Sequence, residues 1–132
     1  MTLTRFLMVS LISTTTLQLA CKQTKADTQP AMAEIKSKEY HFKTIKYPDS
    51  VNAHFTLRNI GKNDLLVKAV ETSCGCTVAS ITKDSIPAKD SAIVAVTFKP
   101  DSNQVGYIRK SVVLKLNTED IFHVVYISGN VD

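Results

Sequence analysis

Apolar and polar residues alternate with a period of two along several segments of this chain. An extended backbone turns successive side chains to opposite faces, so this alternation predicts half-buried β-strands. The longest such segments are SVNAHFTLRN at 50–59, AIVAVTFKP at 92–100, SVVLKLN at 111–117 and IFHVVYISGNV at 121–131. Shorter candidates lie at 40–45, 65–71 and 77–81. Together they predict about seven strands in roughly a hundred residues.

Residues that favour turns separate these segments. Clusters of Pro, Gly, Asn, Asp and Ser, which accept turn dihedrals or bond to their own backbone, lie at 47–50, 59–64, 87–91 and 100–103. No segment beyond residue 34 keeps a helical apolar stripe for three turns. The pattern therefore predicts an all-β fold, an immunoglobulin-like antiparallel β-sandwich of about seven strands.

The first residues have the pattern of a secretory signal. Arg5 supplies a short positive region, and residues 6–19 carry no formal charge and are too few to span a bilayer. The sequence LQLAC at 17–21 is similar to a lipobox, in which the cysteine is acylated, for example with palmitate, and becomes the mature N-terminus. We therefore expect a signal peptide at 1–20, lipidation of Cys21, a flexible tether at 21–34 and one domain at 35–132. The alternative is cleavage by the ordinary signal peptidase, which would leave Cys21 in the tail.

Composition and charge narrow the classes of function. The chain has 132 residues, 44% of them hydrophobic, which suits one domain of ordinary size. A charged fraction of 21% and a net charge of +4 include only three arginines and no run of like charges, so we expect no nucleic-acid partner. The N-terminal pattern instead predicts an exported protein that is held on a membrane surface through a lipid anchor.

Motifs that carry catalysis are missing from the sequence. It contains no GxSxG, HExxH, P-loop or GxGxxG pattern, and its acidic residues fall singly or in turns. We therefore expect no catalytic residue, no cofactor, no small-molecule substrate and no enzyme. A repeated Asp-Ser-apolar tripeptide is typical both of turn chemistry and of an envelope O-glycosylation signal, and its serines are Ser50, Ser85 and Ser91.

The chemistry that stays open lies in TSCGCT at 72–77. Cys74 and Cys76 are separated only by Gly75, and lipidation of Cys21 would leave them as an even pair in an oxidising compartment. Three interpretations remain: two packed thiols, an easily reduced disulfide closing a very small loop, or half of a soft-metal site. A metal site would need a histidine beside the turn, and the candidates are His41, His54 and His123.

The chain resembles a known family. FTLRNIGKNDLLV at 55–67, TSCGCT at 72–77, FKP at 98–100, GYIRKSV at 106–112 and ISGNV at 127–131 are similar to the domain-of-unknown-function 1573 family. The resemblance implies a single-domain, frequently lipid-anchored protein of the cell envelope, on the periplasmic or outer surface of a Gram-negative membrane. It also implies an immunoglobulin-like sandwich related to modules that bind other proteins. It implies no agreed activity.

The function expected from these observations is that of a non-catalytic envelope lipoprotein, a structural or protein-interaction module with an envelope protein as partner. Binding would use a sheet face, an exposed edge strand or the loops at 59–64 and 72–77. The alternative is a thiol-dependent copper-binding or redox protein that uses Cys74 and Cys76.

Overall fold

Two β-sheets form from the alternating segments. The computed structural model describes residues 29–132, and this part of the chain holds nine strands and no helix. The strands are β1 Ala33–Ile35, β2 Glu39–Ile45, β3 Val51–Asn59, β4 Leu65–Thr72, β5 Thr77–Ile81, β6 Ser85–Ile86, β7 Ser91–Phe98, β8 Gly106–Leu116 and β9 Phe122–Val131. The all-β prediction is confirmed, and all seven expected strands are present. The expected count is two short of the observed one, because β1 and β6 are too short to show a period.

The strands divide between a four-stranded and a five-stranded sheet. The first has the order β1-β3-β7-β5 and the second β2-β9-β8-β4-β6. Every pairing is antiparallel except that of β2 with β9, which is parallel. The expectation of a wholly antiparallel sandwich was therefore wrong at this edge. The long connection between β2 and β9, through the intervening strands, permits this parallel pairing, which a tight turn could not make.

The core lies between the two sheets. Strand β3 is buried at every odd position from Val51 to Asn59 and exposed at every even one, as its alternation predicts. Strands of the opposite sheet meet it with their own apolar faces. The largest fully buried side chains include Phe98, Leu57, Leu114, Leu116 and Ile127. Burial of one such side chain contributes about 1.5–3 kcal/mol, so the facing apolar rows hold the sheets together.

The fold begins before residue 35. The Ala31 side chain is buried, its N–H donates to the carbonyl of Asn117, and the Ile60 N–H donates to the carbonyl of Met32. Strand β1 then pairs with β3. Residues 29–34, which the sequence assigned to a tether, are thus part of the sandwich. The rest of that segment, with Cys21 and the signal sequence, lies outside the described residues.

The connections lie at two opposite ends of the sandwich. The 59–64 turn precedes β4 and the 72–77 turn follows it. Eight residues of strand separate the two turns, a distance of roughly 27 Å. We call the end with the loops at 46–50, 73–76 and 99–105 the disulfide end. These two turns, the candidate binding loops of the sequence analysis, are therefore at opposite ends of the molecule and cannot form a single binding surface.

Candidate interaction surface

The turn from β4 to β5 carries the two cysteines across from one sheet to the other. Cys74 and Cys76 are joined in a disulfide, with Cα atoms 5.3 Å apart. A fully extended strand would hold residues two apart farther from each other, so the chain bends here, as Gly75 permits. The Cys74 carbonyl accepts bonds from the Thr77 N–H and the Thr72 hydroxyl, both at 3.2 Å. Of the three interpretations left open by the sequence, the structure has the disulfide.

The histidines do not approach this turn. On the five-stranded sheet the Nδ1 atom of His41 lies 3.2 Å from the Ser128 hydroxyl. At the far end the Nε2 atom of His123 lies 2.9 Å from the Thr118 hydroxyl. His54 lines a separate groove on the outer face of β3. Within residues 29–132, His, Cys, Asp and Glu side chains form no group of three suited to a metal ion.

Strand β5 is an edge of the four-stranded sheet, and half of its backbone groups point outward. At one end of its pairing with β7, the Lys99 N–H donates to the Cys76 carbonyl. At the other end, the Thr82 N–H donates to the Ile93 carbonyl. Because bonding alternates along an antiparallel pair, Val78 and Ser80 also face β7. The N–H and C=O groups of Ala79 and Ile81 therefore point away from the sheet. The Thr77 N–H is already used by Cys74.

The other edges of the described sheets are protected. Strand β1 has three residues and β6 has two, while β2 is interrupted by a bulge between His41 and Thr44 and carries Lys43. Short strands, bulges and lysines are the usual means by which proteins block edge pairing. Strand β5, with the sequence TVASI, has no charge, no proline and no bulge. Among the four terminal strands of the two sheets in residues 29–132, it is the one that lacks such protection.

A groove adjoins the start of β5 at the disulfide end. It has a volume of about 390 Å³ and is lined by Tyr47, Gly75, Cys76, Val78, Thr97, Lys99, Pro100 and Asp101. Tyr47 is 53% exposed and Val78 is 67% exposed, so part of the apolar lining of the groove is accessible from solvent. The groove and the free edge together make one surface of mixed apolar and backbone polar character, which we call the β5 surface.

A polar cluster that the sequence analysis missed covers the outer face of the five-stranded sheet. The Glu39 carboxylate accepts bonds from the Arg109 guanidinium at 3.2 and 3.3 Å and from the Ser128 hydroxyl at 2.9 Å. The bond from Arg109 has the largest effect in lowering the pKa of Glu39, and the bond from Ser128 lowers it further. The Glu39 carboxylate in turn raises the pKa of Arg109. The guanidinium also stacks 3.6 Å from the centre of the Tyr126 ring. Only strand pairing brings these distant residues together.

This cluster contains Ser, His and an acid but lacks the order of a catalytic triad. In a triad the acid orients the histidine, whose other nitrogen takes the serine proton. Here the acid, Glu39, accepts directly from Ser128, and Ser128 is 1% exposed. The bonds instead tie β2 to β9 and β8, so the arrangement is suited to holding the parallel edge strand in place.

The three candidate glycosylation serines differ in setting. Ser50 is exposed in the loop that precedes β3. Ser85 is also exposed, but its backbone is paired with β4. Ser91 is half-buried at the start of β7, where its N–H donates to the Asp90 carboxylate at 2.7 Å. A modifying enzyme that needs an accessible loop would therefore meet Ser50 most readily.

The comparison with protein-family models identifies a family for this chain. The model described as "Protein of unknown function (DUF1573)" matches residues 33–131, from the first residue of β1 to the last of β9. The chain belongs to this family. No curated protein matches it. Within residues 29–132, no helix has the length and apolar character needed to cross a membrane.

Solved structures share the fold of this DUF1573 chain at low identity. A protein of unknown function from Porphyromonas gingivalis W83 has a TM-score of 0.70 and 15% identity, covering 78% of this chain and 48% of that one. The chain thus spans about half the length of that protein. The PapD-like domain 7 of human CEP192 has a TM-score of 0.60 and 14% identity, covering 78% and 87%. The secreted serine protease VesC from Vibrio cholerae has a TM-score of 0.55 and 11% identity. The match covers 77% of this chain and 23% of VesC.

Two residues of the family-like motifs have structural roles. Asn59 is fully buried at the end of β3, where its amide donates to the carbonyls of Asn63 and Ile86 and accepts from the Gly61 N–H. Gly129 on β9 faces Phe42 so closely that an added Cβ would overlap the phenyl ring and the Phe42 carbonyl. These residues serve the fold and do not belong to the β5 surface.

Proposed function

We propose that this chain is a non-catalytic lipoprotein of the cell envelope, anchored through an acylated Cys21, whose sandwich is a protein-interaction module. The observation that carries the proposal is the free, uncharged edge of β5 beside an exposed groove. Exposed edges of this kind bind extended segments of other chains through main-chain hydrogen bonds, and adjacent grooves select side chains.

The envelope location is supported by two independent features. The sequence at 1–21 has the signal and lipobox pattern, and Cys74 and Cys76 are paired in a disulfide. Disulfides persist chiefly in oxidising compartments such as the periplasm and the cell surface. An acyl anchor would then hold the module against a membrane, since each buried CH2 contributes about 0.8 kcal/mol.

The mass of the intact mature protein tests the anchor. We expect cleavage before Cys21 and added mass equal to its acyl chains, and we expect Cys21→Ser to lack both. An unmodified chain with residues 1–20 retained would contradict the proposal. The same spectrum tests glycosylation, where Ser50→Ala should remove any glycan mass that Ser85→Ala and Ser91→Ala leave in place.

Site-specific photo-crosslinking in growing cells tests the interaction role. A photoreactive residue at Val78, on the β5 surface, should give a discrete adduct with another protein chain. The control position is Thr56, which is exposed on β3 in the same sheet but lies away from the free edge. Equal adducts at both positions, or none at Val78, would remove the support for a binding role at this edge.

A thiol-dependent role is the second candidate, favoured by the closeness of the half-buried Cys74 and Cys76. An external dithiol would reduce the disulfide and be oxidised itself, and the two thiols, after losing their protons, would bind Cu(I) as thiolates. Thiol titration of the protein with and without Cu(I) separates the two roles. A Cu(I)-bound reduced form, lost in Cys74→Ser and Cys76→Ser, would favour the second candidate over the first.

A further inference from the structure

We propose that two copies of this chain associate by antiparallel pairing of their β5 strands about a twofold axis at Ala79. This inference rests on the proposed interaction role and names its partner as a second copy. The pairing joins the two four-stranded sheets into one continuous sheet of eight strands. Its basis is that the open strand of this chain is complementary to itself in hydrogen bonding, in side-chain size and in charge.

The hydrogen-bonding groups match under the twofold axis. Placing Ala79 opposite its own copy lets the two residues exchange both N–H···O=C bonds, because both groups of Ala79 point outward. The next bonded pair along the strand joins Ile81 to the partner's Thr77. The Ile81 N–H then donates to the partner's Thr77 carbonyl, on both sides of the axis. The Thr77 N–H takes no part, since Cys74 accepts it within the same copy.

The side chains of β5 also suit this register. Alanine, the smallest residue of the strand, stands on the axis, so the two side chains that meet there do not clash. Val78 lies opposite the partner's Ser80 on the outer face, and both side chains are exposed. No charged residue lies within β5, so self-pairing opposes no like charges, which would be destabilising across a strand pair. The same operation on β2 would introduce its lysine and its bulge into the pair.

The incomplete covering of the core at this edge favours an added strand. Ala79 and Ile81 face the interior and pack on the buried core, yet both remain partly exposed because β5 has no outer neighbour. A second β5 strand would cover them and satisfy the outward backbone groups in the same step. An edge left open, uncharged and partly apolar is otherwise a liability for aggregation.

The test is a pair of charge variants at the two exposed positions that face each other across the axis. In V78K/S80K each introduced lysine meets a lysine of the partner, whereas in V78K/S80E each introduced lysine meets an introduced glutamate of the partner. Both variants change the same two exposed residues, and cooperative thermal unfolding of each at a protein concentration too low for dimerisation would show that both are folded. The measurement is sedimentation equilibrium of the full chain in density-matched detergent at low salt, up to about 100 μM protein.

The parent chain should follow a monomer–dimer equilibrium. V78K/S80K should raise the dissociation constant by roughly tenfold or more, and V78K/S80E should keep or tighten the dimer. A parent chain that stays monomeric throughout, or two variants that behave alike, would overturn the proposal. If the chain is monomeric but Val78 crosslinks to a different protein in cells, self-pairing fails and the interaction role stands. If Val78 yields no adduct as well, both fail.

Discussion

The strongest stability effect should come from Asn59, a polar residue buried at the end of β3. Its side chain makes three hydrogen bonds, two donated at 2.8 Å to the carbonyls of Asn63 and Ile86 and one accepted at 2.9 Å from the Gly61 N–H. The residue is 0% exposed, so water cannot replace these bonds when the amide is removed. The bonds join the β3–β4 turn to the short strand β6.

The magnitude follows from the number of bonds. A typical buried hydrogen bond contributes about 1 kcal/mol net, and a partner left buried without a bond adds to the loss. Replacement of Asn59 by Ala should therefore lower the free energy of unfolding by about 3 kcal/mol. Replacement by Asp keeps the acceptor for Gly61 but sets a carboxylate against the Asn63 and Ile86 carbonyls, so its cost should equal or exceed that of Ala.

Urea unfolding of the purified protein measures this effect. A loss of about 3 kcal/mol shifts the midpoint by roughly 1–3 M at the usual slopes for small domains. The matched control is Asn63→Ala in the same turn, because the Asn63 side chain makes one bond, at an exposed site, to the Gln29 carbonyl. We expect a change below about 1 kcal/mol there. If Asn59→Ala lowers the free energy of unfolding by no more than Asn63→Ala does, the conclusion that the buried bonds of Asn59 stabilise this end of the sandwich is wrong.

Three further predictions concern other parts of the fold. Gly129→Ala should destabilise by about 2–3 kcal/mol in urea unfolding, because its Cβ overlaps the facing strand, and an unchanged midpoint would refute the close packing. Because Arg109 lowers the pKa of Glu39 from 4.5, their pairing should stabilise the fold fully above about pH 4.5, and this stabilisation should be lost as the pH falls through the lowered pKa. Glu39→Gln should therefore weaken the fall in the free energy of unfolding at acid pH. Loss of the disulfide in the double variant of Cys74 and Cys76 to Ser should cost about 1.6 kcal/mol or less by calorimetry, since so small a closed loop restricts the unfolded chain little. A cost of several kcal/mol would instead assign the turn a major role in stability.

The sequence predicted the long strands well because their alternation of apolar and polar residues is itself the physical cause of burial. Strand β3 is the clearest case, since its odd residues are buried and its even residues are exposed. The turn clusters also lie between strands as expected. Two short strands escaped prediction: β1, Ala-Glu-Ile, is three residues long, and β6, Ser-Ile, is two. Such short pieces have no period, and their pairing is decided by neighbours distant in the chain.

Properties that depend on pairing between distant strands were beyond the sequence. The parallel contact of β2 with β9 brings Glu39 beside Arg109 and Ser128, which lie 70 and 89 residues further along. No local signal marks that cluster. The state of Cys74 and Cys76 was equally undecided, because a straight strand and a bent turn place their Cα atoms at different separations. The bend, which gives 5.3 Å, belongs to the passage between the sheets.

The cysteine turn and the free edge of β5 are parts of one structural arrangement. Because β4 and β5 belong to different sheets, the chain must cross the side of the sandwich between them, and the Cys74–Cys76 turn makes this crossing within a few residues. So tight a crossing leaves no further residues that could cover β5. Within the turn, the Thr77 N–H donates a hydrogen bond to the Cys74 carbonyl. The open backbone groups therefore begin with the Thr77 carbonyl, and the first free N–H is that of Ala79. The disulfide turn thus defines where the edge becomes available, which is a structural reason for it to lie beside the β5 surface.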